Sequence, residues 1–121
     1  MAIFLDHTIV PAHDKVAAAT FFAGIFGLEV APTMGPFVPV HVNGGLTLDF
    51  QDRERFDWHH YAFHVDDAEF DAILARVKAA GIAFGSGPNT LVDGQINHRH
   101  GGRGFYFKDP NGHVLELLTR T

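Results

Sequence analysis

The stretch Asp57-Trp58-His59-His60-Tyr61-Ala62-Phe63-His64-Val65, running on through Asp66-Asp67-Ala68-Glu69-Phe70, decides how this chain is read. Its first part alternates as a strand. Tyr61, Phe63 and Val65 take one face, and His60, Ala62 and His64 take the other. The apolar set is expected to pack under a helix, and a helix follows. Asp66 and Glu69 resemble a capping box. Phe70, Ile73, Leu74 and Val77 recur at i, i+3, i+4 and i+7, an amphipathic stripe. Gly81 stands where a left-handed residue ends a helix, with apolar Ile82 behind it.

The same order occurs earlier in the chain. Phe4-Leu5-Asp6-His7-Thr8-Ile9-Val10 reads as a strand, and Pro11 to Asp14 as a polar link. Val16, Ala19, Ala23 and Phe26 are spaced for one face of a helix, which Gly27 and Leu28 close. His7 and His60 hold matching places. The two halves also end alike. Gly44-Gly45 leads into Leu46-Thr47-Leu48-Asp49-Phe50. Gly104 leads into Phe105-Tyr106-Phe107, the turn Asp109-Pro110-Asn111-Gly112 and the strand Val114-Leu115-Glu116-Leu117-Leu118. Further short strands fit between, Phe37 to Val42 among them. The chain is therefore expected to be α+β, with βαβββ occurring twice. Module one covers about 1–50, a charged linker 51–56, and module two 57–121, within one domain. The polar, glycine-rich stretch from Gly85 to Gly104 is expected to be the most mobile loop.

Composition narrows the function. A chain of 121 residues suits one domain. Hydrophobic residues at 46% and charged residues at 19% argue against disorder. No apolar run of about 18 residues is present to span a membrane. The N-terminus lacks a basic region and meets Asp6 early, so a cytoplasmic protein without a signal peptide is expected. With no cysteine, disulfides, thiolate metal sites and a cysteine nucleophile are excluded. A net charge of −5 disfavours a general nucleic-acid binder. Nine histidines in so short a chain point instead to metal binding or acid–base chemistry.

Strand alternation selects among them. Glu116 shares its face with Val114 and Leu118, so it is expected to be partly buried. His113, Leu115 and Leu117 take the other face. A buried carboxylate is costly unless paired, hydrogen-bonded or metal-bound. Asp49 lies similarly within the last strand of module one. His7, His60 and Glu116 are thus candidates for a shared, enclosed polar site. His59 is an alternative to His60, but the alternation favours His60.

His7 after the opening strand, His60 in His-Tyr-Ala-Phe, and Glu116 after Asp-Pro-Asn-Gly-His-Val-Leu-Glu resemble the vicinal oxygen chelate superfamily. It comprises glyoxalase I, extradiol dioxygenases, methylmalonyl-CoA epimerase, fosfomycin-resistance transferases and bleomycin-binding proteins. The resemblance covers nearly the whole chain and implies a curled mixed sheet, a half-barrel with helices outside. It places metal ligands at His7, His60 and Glu116. Asp49 falls where glyoxalases usually carry a glutamate, and its shorter side chain suits a base or a water-bridged role. Two imidazoles and a carboxylate leave positions open on Fe, Mn, Zn or Ni, where a small substrate with neighbouring oxygens chelates. The metal then stabilises developing oxyanion charge, or binds substrate and dioxygen.

Glu116, Asp49 and His64 are the catalytic candidates, and His41, Arg103 and Tyr106 the substrate-binding ones. Arg103 is a candidate for an anionic substrate group. His98, Arg99 and His100 are expected in a solvated loop, His13 and His113 on the surface, and Phe21, Phe22 and Phe26 in helix packing. The favoured reading is a metal-dependent lyase, isomerase or dioxygenase. A fosfomycin-type thiol transferase is a second reading, although residues 85–104 lack that group's serine-rich cation-binding pattern. A metal-free antibiotic-binding protein is a third, and the intact triad counts against it. The resemblance also implies a homodimer.

Overall fold

The computed structural model of the chain describes residues 2–121. It divides into two compact units, Met1–Asp57 and Trp58–Thr121. The first carries β1 (His7–Ala12), α1 (Lys15–Phe26), β2 (Phe37–Asn43) and β3 (Leu46–Asp52). Its strands lie in the order β1-β3-β2, with β1 parallel and β2 antiparallel to β3. The second carries β4 (His60–His64), α2 (Asp67–Ala79), β5 (Phe84–Gly85), β6 (Gly104–Lys108) and β7 (Val114–Leu118). Its order is β4-β7-β6-β5, with β4 parallel and β6 antiparallel to β7. In each unit the first strand therefore pairs with the last, and the helix makes the crossover. The fold is α+β, built on two mixed sheets.

Two expectations change. The first unit has three strands, not the four expected. Where the second unit adds β5, the first has isolated bridges, Val30 to Val40 and Met34 to Phe37. Pro32 and Pro36 flank this region and have no N–H to extend a ladder. In addition, β3 continues to Asp52, into the stretch read as a linker.

Local chemistry starts and stops the helices as expected. The Asp14 carboxylate accepts from the N–H groups of Val16 and Ala17, and Asp66 accepts from the Glu69 N–H at 2.8 Å. Gly27 and Gly81 adopt φ +72° and +69°. That conformation lets Leu28 N–H reach the Ala23 carbonyl and Ile82 N–H reach that of Val77. In α2, Asp67 and Glu69 occupy the first turn and Arg76 and Lys78 the last, complementing the helix dipole.

The buried residues of α2, Phe70, Ile73 and Val77, belong to the stripe the spacing predicts, and its fourth member, Leu74, is half-buried. In α1 the match is partial. Ala18, Ala19, Phe22, Ala23, Ile25 and Phe26 are buried, while Val16 is exposed. Apolar residues surround most of α1, so their spacing does not single out a face. Phe22 leans on Phe50 of β3, and Phe70 meets Phe105 of β6 edge to face at 5.3 Å. Phe50, Phe70, Phe105 and Phe107 are all fully buried. Each such side chain contributes about 1.5–3 kcal/mol of burial free energy.

This packing assigns the second face of each sheet. On the first sheet it carries His7, Thr47, Asp49, Pro39 and His41, because Val10, Val38, Val40, Leu48 and Phe50 are committed to the core. On the second sheet it carries His60, Ala62, Tyr106, Val114 and Glu116.

Candidate functional site

In the first unit, His7 pairs in register with Thr47, and Asp49 lies two residues further along β3. His7 Nδ1 is 2.8 Å from Asp6 Oδ2. That hydrogen bond, followed by the Asp6 charge, lifts the imidazole pKa above its ordinary value. It also leaves Nε2 as the free ring nitrogen. His41 Nδ1 and Thr47 Oγ1 share a hydrogen bond of 2.7 Å. These groups line a cleft of about 300 Å³ with Met34, Pro39 and Asp49. Asp49 is only 5% exposed, and its Oδ1 has no hydrogen-bond partner. A buried, unshared carboxylate oxygen is costly in a folded protein and marks a place built for a proton or a cation.

The second unit repeats this register. His60 pairs with Val114, and Glu116 lies two residues further along β7. His60 Nε2 is 2.9 Å from Glu116 Oε1. The Glu116 side chain is 13% exposed, as the strand pattern implies. Tyr106 stands opposite Glu116 across β6 and β7, with its ring 5.8 Å from that of His60. Burial above all pushes the Tyr106 phenol pKa up, and the Glu116 charge and hydrogen bond add to the rise. The phenol therefore stays protonated and able to donate.

Other candidates are placed elsewhere. His64 shares the face of His60, but its Nε2 donates to the Thr119 carbonyl at 3.0 Å. It lines a separate cleft of about 390 Å³ with Asp66, Asp67, Thr119 and Arg120. Arg103 is engaged by helix α2. Its Nε and Nη2 donate to Asp67 Oδ1 at 3.2 and 2.9 Å, its Nη1 to Asp71 Oδ1 at 2.7 Å, and its guanidinium lies 4.4 Å from the centre of the Phe70 ring. That arrangement ties α2 to the start of β6 and occupies the donors expected to face a substrate anion. Within either unit alone, no three His, Asp or Glu side chains among the described residues gather as a metal-binding group.

One residue departs from its expected surface role. His113 is fully buried, and its Nδ1 accepts the His59 N–H at 2.9 Å. Its alternation with Leu115 and Leu117 already places it on the core face. Arg99 is exposed in its loop, as expected, yet its Nη1 donates to the Tyr106 hydroxyl at 2.5 Å. Nothing in the sequence connects these two, since a loop of glycines and polar residues gives no face. The loop itself is extensively tied. Asp93 accepts from Ser86 N–H and Oγ and from Gln95 N–H, and Asn97 exchanges two backbone hydrogen bonds with Gly104.

This architecture and its paired His–carboxylate faces define a class, and comparison with known proteins agrees. The chain belongs to the Glyoxalase/Bleomycin resistance protein/Dioxygenase superfamily, whose family model matches residues 4–117. Among solved structures it is similar to Oxidase ChaP-H2, with 51% identity and a TM-score of 0.94 over 100% of this chain and 96% of that one. It is also similar to Oxidase ChaP-H1, with 44% identity and a TM-score of 0.93 over 99% and 98%. Among curated proteins, the Glutathione transferase FosA of Serratia marcescens is 34% identical over 93% of this chain and 78% of its own length.

Proposed function

We propose that the chain is a metal-dependent enzyme acting on a small substrate with neighbouring oxygens, and that His7, His60 and Glu116 hold the metal. The observation that carries this reading is the His60–Glu116 pair, matched in register by His7 and Asp49. The donor chemistry fits a first-row divalent ion. Two donors side by side on such an ion, each about 2.1 Å from it, stand about 3 Å apart. His60 Nε2 and Glu116 Oε1 stand 2.9 Å apart. Fe, Mn, Zn and Ni all accept this set.

A bound divalent metal supplies Lewis acidity, which stabilises negative charge on a substrate oxygen. The chain's own residues do the rest. Asp49, buried and with an unshared oxygen, takes and holds a substrate proton. The His41–Thr47 pair orients the substrate in the first unit's cleft. Tyr106 donates its hydroxyl proton toward Glu116 and fixes the carboxylate's direction. The similarity to two proteins named as oxidases, over nearly their full length, favours oxygen-dependent oxidation as the reaction.

Elemental analysis of untagged protein purified without chelator tests the reading. One divalent ion per chain is expected, with loss of most of it in His60→Ala and Glu116→Ala. Full metal content in a His7→Ala/His60→Ala/Glu116→Ala triple variant would overturn it. The similarity to FosA favours thiol transfer to fosfomycin as the second reading. Protection of fosfomycin-treated cells by the expressed protein would favour transfer over oxidation. We further propose a homodimer, which light scattering on the purified protein tests.

A further inference from the structure

Arg99 reaches Tyr106, whose ring lies 5.8 Å from that of His60, and its donor capacity is only partly used. Of its five guanidinium donor hydrogens, one on Nη1 serves the Tyr106 hydroxyl, and the group lies 5.4 Å from the centre of that ring. No carboxylate pairs with it among the described residues, whereas Arg103 has two. The Nε–Nη2 edge, which can grip a carboxylate with two parallel hydrogen bonds, has no acceptor among the described residues.

The loop is shaped to hold Arg99 in this position. Arg99 N–H donates to Asn97 Oδ1 at 3.2 Å, and Asn97 Nδ2 donates to the Ser86 carbonyl. The Arg99 carbonyl accepts from Gly102 N–H. A Cβ on Gly87 would lie 3.3 Å from Arg99 Nη2, so the glycine leaves room for the guanidinium. A guanidinium already held against a phenol by its loop loses less freedom when an anion arrives.

We infer that Arg99 determines substrate specificity by binding a carboxylate group of the substrate through its Nε–Nη2 edge, while Nη1 stays on Tyr106. This rests on the reading that His60 and Glu116 belong to the catalytic site, and it adds a substrate class, small carboxylic acids. A planar fork discriminates an acid from its amide, because the amide offers one acceptor and no charge.

Calorimetric titration of the full-length protein with salicylate and with its neutral analogue salicylamide tests the inference, in chelator-treated and in Mn²⁺-loaded protein. The wild type is expected to prefer salicylate tenfold or more in both states. Arg99→Gln is expected to abolish that preference while keeping its circular dichroism and Mn²⁺ binding. Arg99→Lys, which keeps the charge without the fork, is expected to lose at least threefold. It carries the test if the Gln variant does not fold. Absence of salicylate binding, equal affinity for the two probes in the wild type, or unchanged preference in the variants overturns the inference. An Arg99-dependent preference in chelator-treated protein that fails to bind Mn²⁺ would uphold it and overturn the metal reading instead.

Discussion

Tyr106 and Glu116 are register partners across the antiparallel β6–β7 pair, so their side chains leave the sheet on the same face. The pairing puts a buried phenol beside a carboxylate that also meets His60. One residue of slippage would turn Glu116 toward Phe105, Phe107 and Phe70 in the core, where its charge has no partner.

Removing the Tyr106 hydroxyl should therefore loosen Glu116 without disturbing the core. Tyr106→Phe is expected to bind Mn²⁺ about tenfold more weakly than the wild type, the scale of losing a hydrogen bond to a ligand. Electron paramagnetic resonance titration measures this directly. Unchanged affinity would show that the hydroxyl does not support the carboxylate.

The buried imidazole of His113 is structural. His113→Phe keeps the ring but leaves the His59 N–H without its acceptor. A loss of about 1–3 kcal/mol is expected, read from urea unfolding, with metal content unchanged. A variant as stable as the wild type would contradict this role.

Arg103 is a clamp on α2. Its two ion pairs are with exposed carboxylates, which limits their worth, but they converge on one guanidinium stacked on Phe70. Arg103→Met is expected to cost about 1 kcal/mol and to leave salicylate binding unchanged. A selective loss of salicylate binding would reassign Arg103 to the substrate.

Asp93 makes the loop between β5 and β6 sensitive to acid. The Ser86 hydroxyl first, and then the Gln95 N–H, hold its carboxyl pKa below the ordinary value. A depressed folded pKa stabilises the closed loop above the unfolded value, and the effect is lost as pH falls through the folded one. At pH 7 the anchor is fully present. Asp93→Asn should speed amide exchange around residues 85–95 at that pH, while the wild type reaches comparable exchange protection loss only below about pH 4. Equal exchange in the two proteins at pH 7 would remove Asp93 from this role.

Much of the fold is legible because its determinants are local. Asp14 and Asp66 cap helices through their own neighbouring N–H groups, and Gly27 and Gly81 end them through their own φ. Strand alternation separates His60 from Tyr61 and places Glu116 opposite Leu115 and Leu117. The register that joins His60 to Glu116 follows from two copies of one pattern. Where the local pattern is ambiguous, the reading is incomplete. The nearly all-apolar α1 offers several faces, and only packing against β2 and β3 buries Phe22 and leaves Val16 in water.

By itself, then, the sequence determines the two repeats, the helix ends, the partly buried Glu116 and the paired His–carboxylate positions. Each depends on residues a few positions apart, or on a side-chain period of two. The tertiary structure alone decides what long side chains meet. Arg99 and Arg103 are four residues apart in one glycine-rich stretch and look interchangeable in sequence. One reaches Tyr106 on the site face, and the other reaches Asp67 and Asp71 on α2. An arginine spans several ångströms through flexible torsions, so its partner is set by where the fold delivers a phenol or a carboxylate.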